Sequence, residues 1–358
     1  MFVVACVLLI GGSGAASGRA PLQDATGQTF PAAVVAAPPE SLLWVEMRNL
    51  TLHLDERATI RVERLRGEVV STAMGQPAVL DDPESFSIRA TSGSVALTGE
   101  DLTTLLNDFI FAYRSAPLKR LRARPEAGHV SLTGTMHKGV DLRFEIKAVT
   151  SLTPEGLIRL RPTRTRILGI DGAKLLRALG LQLDDLLDLN GSRGATVKGN
   201  DIFLDPTKIL PKPAIAGTVS AVRVEGKMVV IEFAVTPDDS VFGSYVRPDP
   251  AISNYIYFRG RQLRFGKLLM DDTDLMIVDA DPLDAFDLNL KEYAKQLVAG
   301  TQRILPSMGV RVEMPDYDSL AAGAPAQGVR DQRAPAPRSE QEPVAGVGTV
   351  VKSPVVPW

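Results

Sequence analysis

The sequence predicts an α+β fold in which long, curved antiparallel strands dominate and a few apolar helices interrupt them. Apolar and polar residues alternate in many short runs between residues 41 and 315, as in half-buried strands. Polar turns that contain glycine separate several of these runs. Three other segments carry apolar residues at helical spacing.

The opening hairpin predicts curvature. With Asp55–Arg57 as its turn, apolar residues face one another across the two strands, as the two-residue period requires. The predicted pairs are Leu54–Ala58, Leu52–Ile60 and Leu50–Val62, and then Met47–Leu65 and Leu43–Val69 in the same register. The apolar face therefore changes sides in both strands between the third pair and the fourth. Such a strand pair usually bends or passes between sheets.

The next hairpin is predicted over Val130–Ala148, with its turn at Lys138–Val140. Its cross-strand pairs are Met136 with Leu142, Leu132 with Ile146, and Gly134 opposite Phe144. Further turns are predicted at Lys198–Asn200 and Glu225–Lys227, and further strands around Tyr255–Phe258 and Leu275–Val278. These elements extend the β-rich body across residues 41–315.

Three helices are predicted within this body. The first begins at a capping-box pattern, Thr98–Asp101, and carries Leu102, Leu105, Leu106, Phe109, Ile110 and Tyr113 on one stripe. The second follows Asp171 and is apolar on nearly every side, with leucines at 175, 176, 179, 181, 183, 186, 187 and 189. It must be largely buried in protein or lipid. The third begins near Asn289 and has helical spacing as far as Leu305.

The two ends of the chain differ from the body. The apolar run Phe2–Ile10, followed by small residues, predicts a signal peptide over residues 1–20 and an exported, periplasmic or cell-envelope protein. Residues 21–40 predict a flexible leader, and the Pro/Ala-rich residues 316–358 predict a disordered tail. The single cysteine, Cys6, lies in the signal segment, so no disulfide is expected.

Composition and motifs argue against several functional classes. A net charge of −2 and 6% aromatic residues disfavour a nucleic-acid binder. The three histidines lack metal-ligand spacing, and His53 and His137 stand beside predicted turns, where a solvated ring is expected. Nucleophile-elbow, phosphate-loop and dinucleotide motifs are absent from the sequence. No enzyme activity and no cofactor are predicted, although a Ser–His pair assembled in space stays open.

Charged clusters offer two further readings. Seven aspartates between Asp271 and Asp287 are expected in solvated loops, and no metal site is assigned to them. Two basic strands place Arg120 and Arg122 on one face and Arg159 and Arg161 on another, where they would attract anionic headgroups. The alternatives are a solvated strand face, or ion pairs with the aspartates of 271–287.

Several short motifs between about residues 90 and 237 resemble the LmeA-like phospholipid-binding family. They are Leu97–Leu102 with Leu105–Asn107, Thr153–Ile158 leading to Pro162, Ile202–Pro206, Leu210–Pro213, and Ala216–Gly217 before a hairpin. The resemblance implies export and a TULIP-like fold, in which a long curved antiparallel sheet wraps around helices and an apolar groove accepts acyl chains. The opening hairpin and the chain after residue 240 lie outside it.

These observations predict a non-enzymatic lipid-binding or lipid-transfer protein whose partner is phospholipid or another acyl lipid. The expected groove residues are Leu102, Leu105, Leu106, Phe109, Ile110, Phe144, Ile146, Leu175, Leu176 and Leu179. The same residues would also suit a dry core. An envelope scaffold acting through its surface and C-terminal tail is the alternative function, and an unrecognised hydrolase is a third.

Overall fold

The computed structural model describes residues 42–54, 57–168, 170–172, 181–239 and 251–321. In chain order the strands are β1 (Leu43–His53), β2 (Thr59–Ser71), β3 (Ala78–Val79), β4 (Phe86–Thr98), β5 (Leu118–Glu126), β6 (His129–Lys138), β7 (Val140–Leu152), β8 (Ile158–Ile167), β9 (Ile170–Asp171), β10 (Ala195–Lys198), β11 (Asp201–Leu204), β12 (Ala214–Ala216), β13 (Val219–Glu225), β14 (Met228–Phe233), β15 (Tyr255–Gly260), β16 (Leu263–Phe265), β17 (Leu268–Met270), β18 (Thr273–Asp279), β19 (Phe286–Asn289), β20 (Thr301–Ile304) and β21 (Val310–Met314). The helices are α1 (Gly99–Thr104), which continues as a π-helix over Leu105–Ile110, α2 (Leu183–Leu186), α3 (Tyr293–Ala299) and α4 (Tyr317–Ala321).

Two curled, mainly antiparallel sheets carry the fold. The larger has the strand order β13-β14-β4-β2-β1-β15-β18-β21-β20, with β12 beside β4 and β19 beside β1. The other has the order β10-β11-β8-β7-β6-β5, with β9 beside β8. A small sheet, β17-β16-β3, completes the described strands. The predicted β-rich class with curved antiparallel strands is confirmed, and the curled sheets form a half-barrel.

The core lies between the two large sheets. Buried apolar residues from β1, β2 and β4 belong to the same packed cluster as those from β5, β6, β7 and β8. Leu52, Ile60 and Leu65 are completely inaccessible to solvent. Burying each such side chain contributes about 1.5–3 kcal/mol to folding. The two sheets therefore share one core.

The predicted register of the opening hairpin is confirmed, and the structure shows how the apolar face changes sides. Leu50 pairs with Val62, and Met47 pairs with Leu65. Between them, Asn49 adopts a positive φ of 47°, and β2 has a bulge against β4 between Val62 and Arg64. In each strand, therefore, one residue breaks the alternation of buried and exposed side chains, and both irregularities lie at the same level of the sheet. Bulges also increase local twist, so this level is where the sheet bends.

The other predicted turns are confirmed as well. Met136 pairs with Leu142, and Gly134 lies opposite Phe144, in the β6–β7 hairpin. The turns after Lys198 and Glu225 join β10 to β11 and β13 to β14. The predicted strands around residues 255–258 and 275–278 are β15 and β18, which pair with each other.

The helices are shorter than predicted. The first starts as expected, since Thr98 and Asp101 form a capping box. The prediction of the third helix is wrong beyond residue 299. Gly300 ends α3, and a Cβ at this position would clash with the carbonyl oxygen of Glu313. The chain instead enters β20, which pairs with β21.

The predicted second helix is described only in part. Residues 173–180 lie outside the described residues, and the leucine-rich segment after them contains the single turn α2. The predicted signal peptide and leader, residues 322–358 of the predicted tail, and Asp55–Glu56 of the first turn also lie outside. The folded chain continues past residue 315, because α4 follows β21 and Asp316 accepts a hydrogen bond from the Asp287 amide. Among the described residues, the helices are all too short or too polar to cross a bilayer.

Candidate functional site

An apolar cavity of about 80 Å³ lies between the two large sheets, and α1 with its π-helical extension closes one side. It is lined from the larger sheet by Leu97, Val229 and Ile231; from the helical segment and its vicinity by Leu102, Leu105, Leu106, Ile110 and Phe111; from β5–β8 by Leu118, Ala123, Val130, Leu132, Ile146, Ala148, Thr150, Ile158 and Leu160; and from the following segments by Leu189, Ile202, Leu204 and Ile209. Thr150 is the one polar residue in this lining. Interiors usually leave few voids larger than a water molecule, so this space is unusual in a packed core.

The helical wall is fastened to β5 through side chains. A bulge in β5, where Arg120 has a positive φ of 53°, interrupts its ladder with β6 between Lys119 and Arg122. Asn107 bonds to both backbone groups of Leu121 within the bulge, accepting from its N–H at 2.9 Å and donating to its carbonyl at 2.8 Å. Thr103 accepts from the Ala123 amide at 3.0 Å. These bonds hold the apolar side of the helix over the cavity.

A smaller void of about 20 Å³ continues the apolar surface along the same sheet. Four residues line both spaces: Leu118, Leu132, Ile146 and Ile202. The far end of the smaller void is formed by Met136, Phe144, Thr165, Ile167, Leu183 and Leu187. The two spaces therefore adjoin along the core-facing side of β5–β8 and β11, and together they are called the apolar trough.

The structure brings most of the described groove residues together. Leu102, Leu105, Leu106, Ile110 and Ile146 line the larger cavity, and Phe144 with Ile146 lines the smaller one. Phe109 packs against the core without lining either space. Leu175, Leu176 and Leu179 lie outside the described residues. The strand residues that form most of the lining were missed, although the alternation in β5, β6 and β8 assigns their faces.

The predicted headgroup arginines differ in their surroundings. Arg120 pairs with Asp141 at 3.3 Å, and the Arg159 Nε lies 2.6 Å from Asp201. Arg161 approaches the same Asp201 at 3.6 Å. Arg122 is exposed and has no ion pair within the described ranges. The alternative that the arginines pair with the aspartates of 271–287 is wrong for Arg120, Arg159 and Arg161, because their acidic partners come from β7 and β11.

The histidine and aspartate predictions need two corrections. His53 is not solvated, because its Nε2 lies 2.5 Å from Asp287 Oδ1 and its ring contacts Tyr317. Asp274, Asp279 and Asp287, expected in solvated loops, lie in β18 and β19, and Asp279 is buried and accepts from the Asn254 side-chain amide at 3.0 Å. His137 is exposed, as predicted. In the described part of the chain, no serine hydroxyl is hydrogen-bonded to a histidine.

Carboxylates gather where β18, β19 and α4 meet. Oxygens of Asp279, Asp284 and Asp316 lie within 4.8 Å of one another, and so do the ligand atoms of His53, Asp287 and Asp318. These are the described residues whose spacing could hold a cation. Burial and the neighbouring carboxylates raise the pKa of Asp316 to about 6. Burial lowers the pKa of His53, but the hydrogen bond and charge of Asp287 outweigh it and the net pKa is raised.

Asp316 and His53 therefore contribute stability that is lost as the pH rises from about 4 to 7. The folded state holds the Asp316 proton up to pH about 6, whereas the ordinary value is 3.8, so folding binds a proton in this window. The raised pKa of His53 acts in the same direction at its upper end. Asp316→Asn keeps an oxygen to accept from the Asp287 amide but removes the charge. We expect it to raise the free energy of unfolding at pH 7 by about 1 kcal/mol, allowing for solvent screening at this partly exposed group.

Urea denaturation of both proteins across this pH range measures the effect. Asp316→Asn should give a flatter profile, and Asp271→Asn, at an exposed position outside the cluster, should retain the original profile. If the free energy of unfolding changes with pH in the same way in the parent protein and in Asp316→Asn, the raised pKa does not belong to Asp316.

Comparison with protein-family models, curated proteins and solved structures gave no match. Function is therefore inferred from the cavity and from the surfaces around it.

Proposed function

We propose that this protein binds acyl lipid, with hydrocarbon held in the trough between the two curled sheets. The single observation that carries the proposal is a cavity lined almost entirely by aliphatic side chains in the middle of the core. Water is not stabilised in such a site, because a buried water molecule needs two to four polar partners. Saturated hydrocarbon is stabilised there, because its transfer out of water into apolar surroundings is favourable.

The volume of the cavity limits the length of hydrocarbon that can bind without a change in the protein. An apolar cavity of about 150 Å³ can accept benzene, so 80 Å³ accommodates only a short hydrocarbon segment. A long acyl chain would have to move the helical wall outward. The π-helix lies in that wall, and π-helical turns occur frequently at functional sites. Extension into the smaller void would give the chain a continuous apolar path.

The proposal includes two points from the sequence. One is a TULIP-like arrangement related to the LmeA-like family, with apolar helices enclosed by the curled sheet; the stripe of α1 and its extension facing the cavity supports it. The other is export to the periplasm or cell envelope, supported by the apolar run Phe2–Ile10 and the small residues after it. The protein acts there as a non-enzymatic carrier or binder.

Lipid extraction and native mass spectrometry of the purified full chain test this function. We expect a co-purifying acyl lipid close to one per protein, and saturable uptake of a fluorescent fatty acid by delipidated protein. Extraction that yields no lipid, combined with no uptake of the probe, would refute the proposal.

A further inference from the structure

The solvent face of the sheet behind the cavity carries clustered positive charge. Residues directly opposite one another on neighbouring strands share a face, so the pairings of β5–β8 arrange the side chains in rows. The rows are Lys119–Thr135–Arg143, Arg122–Thr133–Glu145–Arg166, and Arg124–Ser131–Lys147–Arg164. Cations outnumber carboxylates on this face, although the whole chain has a net charge of −2.

Most of these cations have no acidic partner. Arg166 approaches Glu145 at 3.7 Å. Within the described ranges, no ion pair involves Lys119, Arg122, Arg124, Arg143, Lys147 or Arg164. All of these except Lys147 are exposed. Clustered like charges that lack an acidic partner in the described part of the chain favour an anionic partner.

The face is also shaped to receive small anionic groups. A depression of about 270 Å³ is lined by Arg122, Arg124, Lys147, Ser131, Thr133, Glu126 and Glu145. Guanidinium, ammonium and hydroxyl groups are the donors that bind phosphate oxygens. None of the residues in the three rows is aromatic, and single-stranded nucleic acids are usually held by stacking on aromatic rings. The chemistry therefore fits phosphate groups on a membrane surface better than exposed bases.

We propose that this basic face docks the protein on a membrane that contains anionic phospholipid. The bound lipid is not the one in the cavity. Side chains alternate across a strand, so Arg122 and Arg124 point away from Ala123, and Lys147 points away from Ile146 and Ala148, which line the cavity. One phospholipid cannot span the sheet to reach both sites. Membrane docking depends on the outer face alone and is independent of acyl binding in the cavity.

Vesicle sedimentation with the full chain tests the docking face. We expect binding to phosphatidylcholine vesicles that contain one-third phosphatidylglycerol, little binding to pure phosphatidylcholine, and weaker binding as salt is raised to ~0.15 M, where charges are screened beyond about 8 Å. The variant carries Arg122→Gln, Arg124→Gln, Lys147→Gln and Arg164→Gln. Each removed charge should weaken binding about fivefold, so the four together should reduce it more than a hundredfold.

The matched control removes four exposed cations elsewhere, with Arg264→Gln, Lys267→Gln, Lys291→Gln and Arg303→Gln. It should bind the anionic vesicles like the parent protein. Both variants should melt near the parent, because the removed charges, apart from the half-buried Lys147, are exposed, and exposed charges contribute little to stability. Fatty-acid uptake by the docking variant should be unchanged, which separates this test from that of the cavity.

Three results would overturn the docking face. They are equal loss of vesicle binding in the two variants, binding that ignores phosphatidylglycerol, and tighter binding of a single-stranded RNA oligonucleotide than of the anionic vesicles.

Discussion

Replacing Ala148 with leucine is expected to reduce uptake of a fluorescent fatty acid at least tenfold. Ala148 lies on β7, is 4% exposed and lines the larger cavity opposite Val130. The added isobutyl group would occupy the space that the hydrocarbon needs. A tenfold loss of affinity corresponds to about 1.4 kcal/mol of binding free energy. Filling the site with a side chain should remove more binding free energy than this. Extra carbon atoms in a packed core usually cost about 1–3 kcal/mol of stability, so folding must be measured in parallel.

Ala195→Leu is the matched control. Ala195 lies on β10 of the same sheet, is 2% exposed and does not line the cavity. It should destabilise the protein to a similar extent while uptake is retained. Ile146→Ala provides the opposite change, because it enlarges the cavity at a cost of about 2–5 kcal/mol and should increase uptake per folded molecule. Equal uptake by all three variants would place the probe outside the cavity.

Gly93→Ala is expected to destabilise the protein strongly, through its backbone rather than through a change in the cavity. Gly93 lies on β4 opposite Leu65, where β2 changes its apolar face, and its φ is +113°. A Cβ there would clash with the carbonyl oxygen of Arg64. Backbone strain of about 1–2 kcal/mol adds to about 1–3 kcal/mol of overpacking, and the clash is with backbone that cannot rotate away. We expect a loss of about 2–5 kcal/mol, measured by urea denaturation.

Gly128→Ala separates strain from the steric clash. Gly128 also has a positive φ, +80°, but it lies in the β5–β6 turn, and a Cβ added there would meet no atom within 4 Å. Its substitution should cost only the backbone strain, about 1–2 kcal/mol. If the two alanine variants lose equal stability, close packing at the bend of the larger sheet does not contribute, and the curvature has another origin.

The two proposals assign different roles to the two sides of one sheet. In the first, the core-facing side of β5–β8 holds hydrocarbon; in the second, the outer side, whose cations mostly lack an acidic partner among the described residues, attracts an anionic membrane. On these proposals the protein binds the membrane electrostatically while its acyl site stays away from the headgroups. Salt would then release the protein from the surface without releasing its lipid.

The sequence by itself determined the hairpins, their registers and the change of face in β1 and β2. These follow from alternation, because a slip by one residue would expose every apolar side chain of a strand. It also determined the capping box that starts α1, since Thr98 and Asp101 satisfy each other's backbone donors locally. Part of the cavity lining followed in the same way from the helical stripe.

Only the tertiary structure decided which features lie together. The helical pattern through Leu305 was overridden because residues 301–304 found hydrogen-bonding partners in β21, and Gly300 allows the close approach. His53 lies near a turn in the sequence, but β19 runs parallel to β1 and brings Asp287 to its ring. The cavity arises where α1, β5–β8 and β14 meet from distant parts of the chain. Local patterns assign a residue to a face, whereas the packing of sheets decides what that face meets.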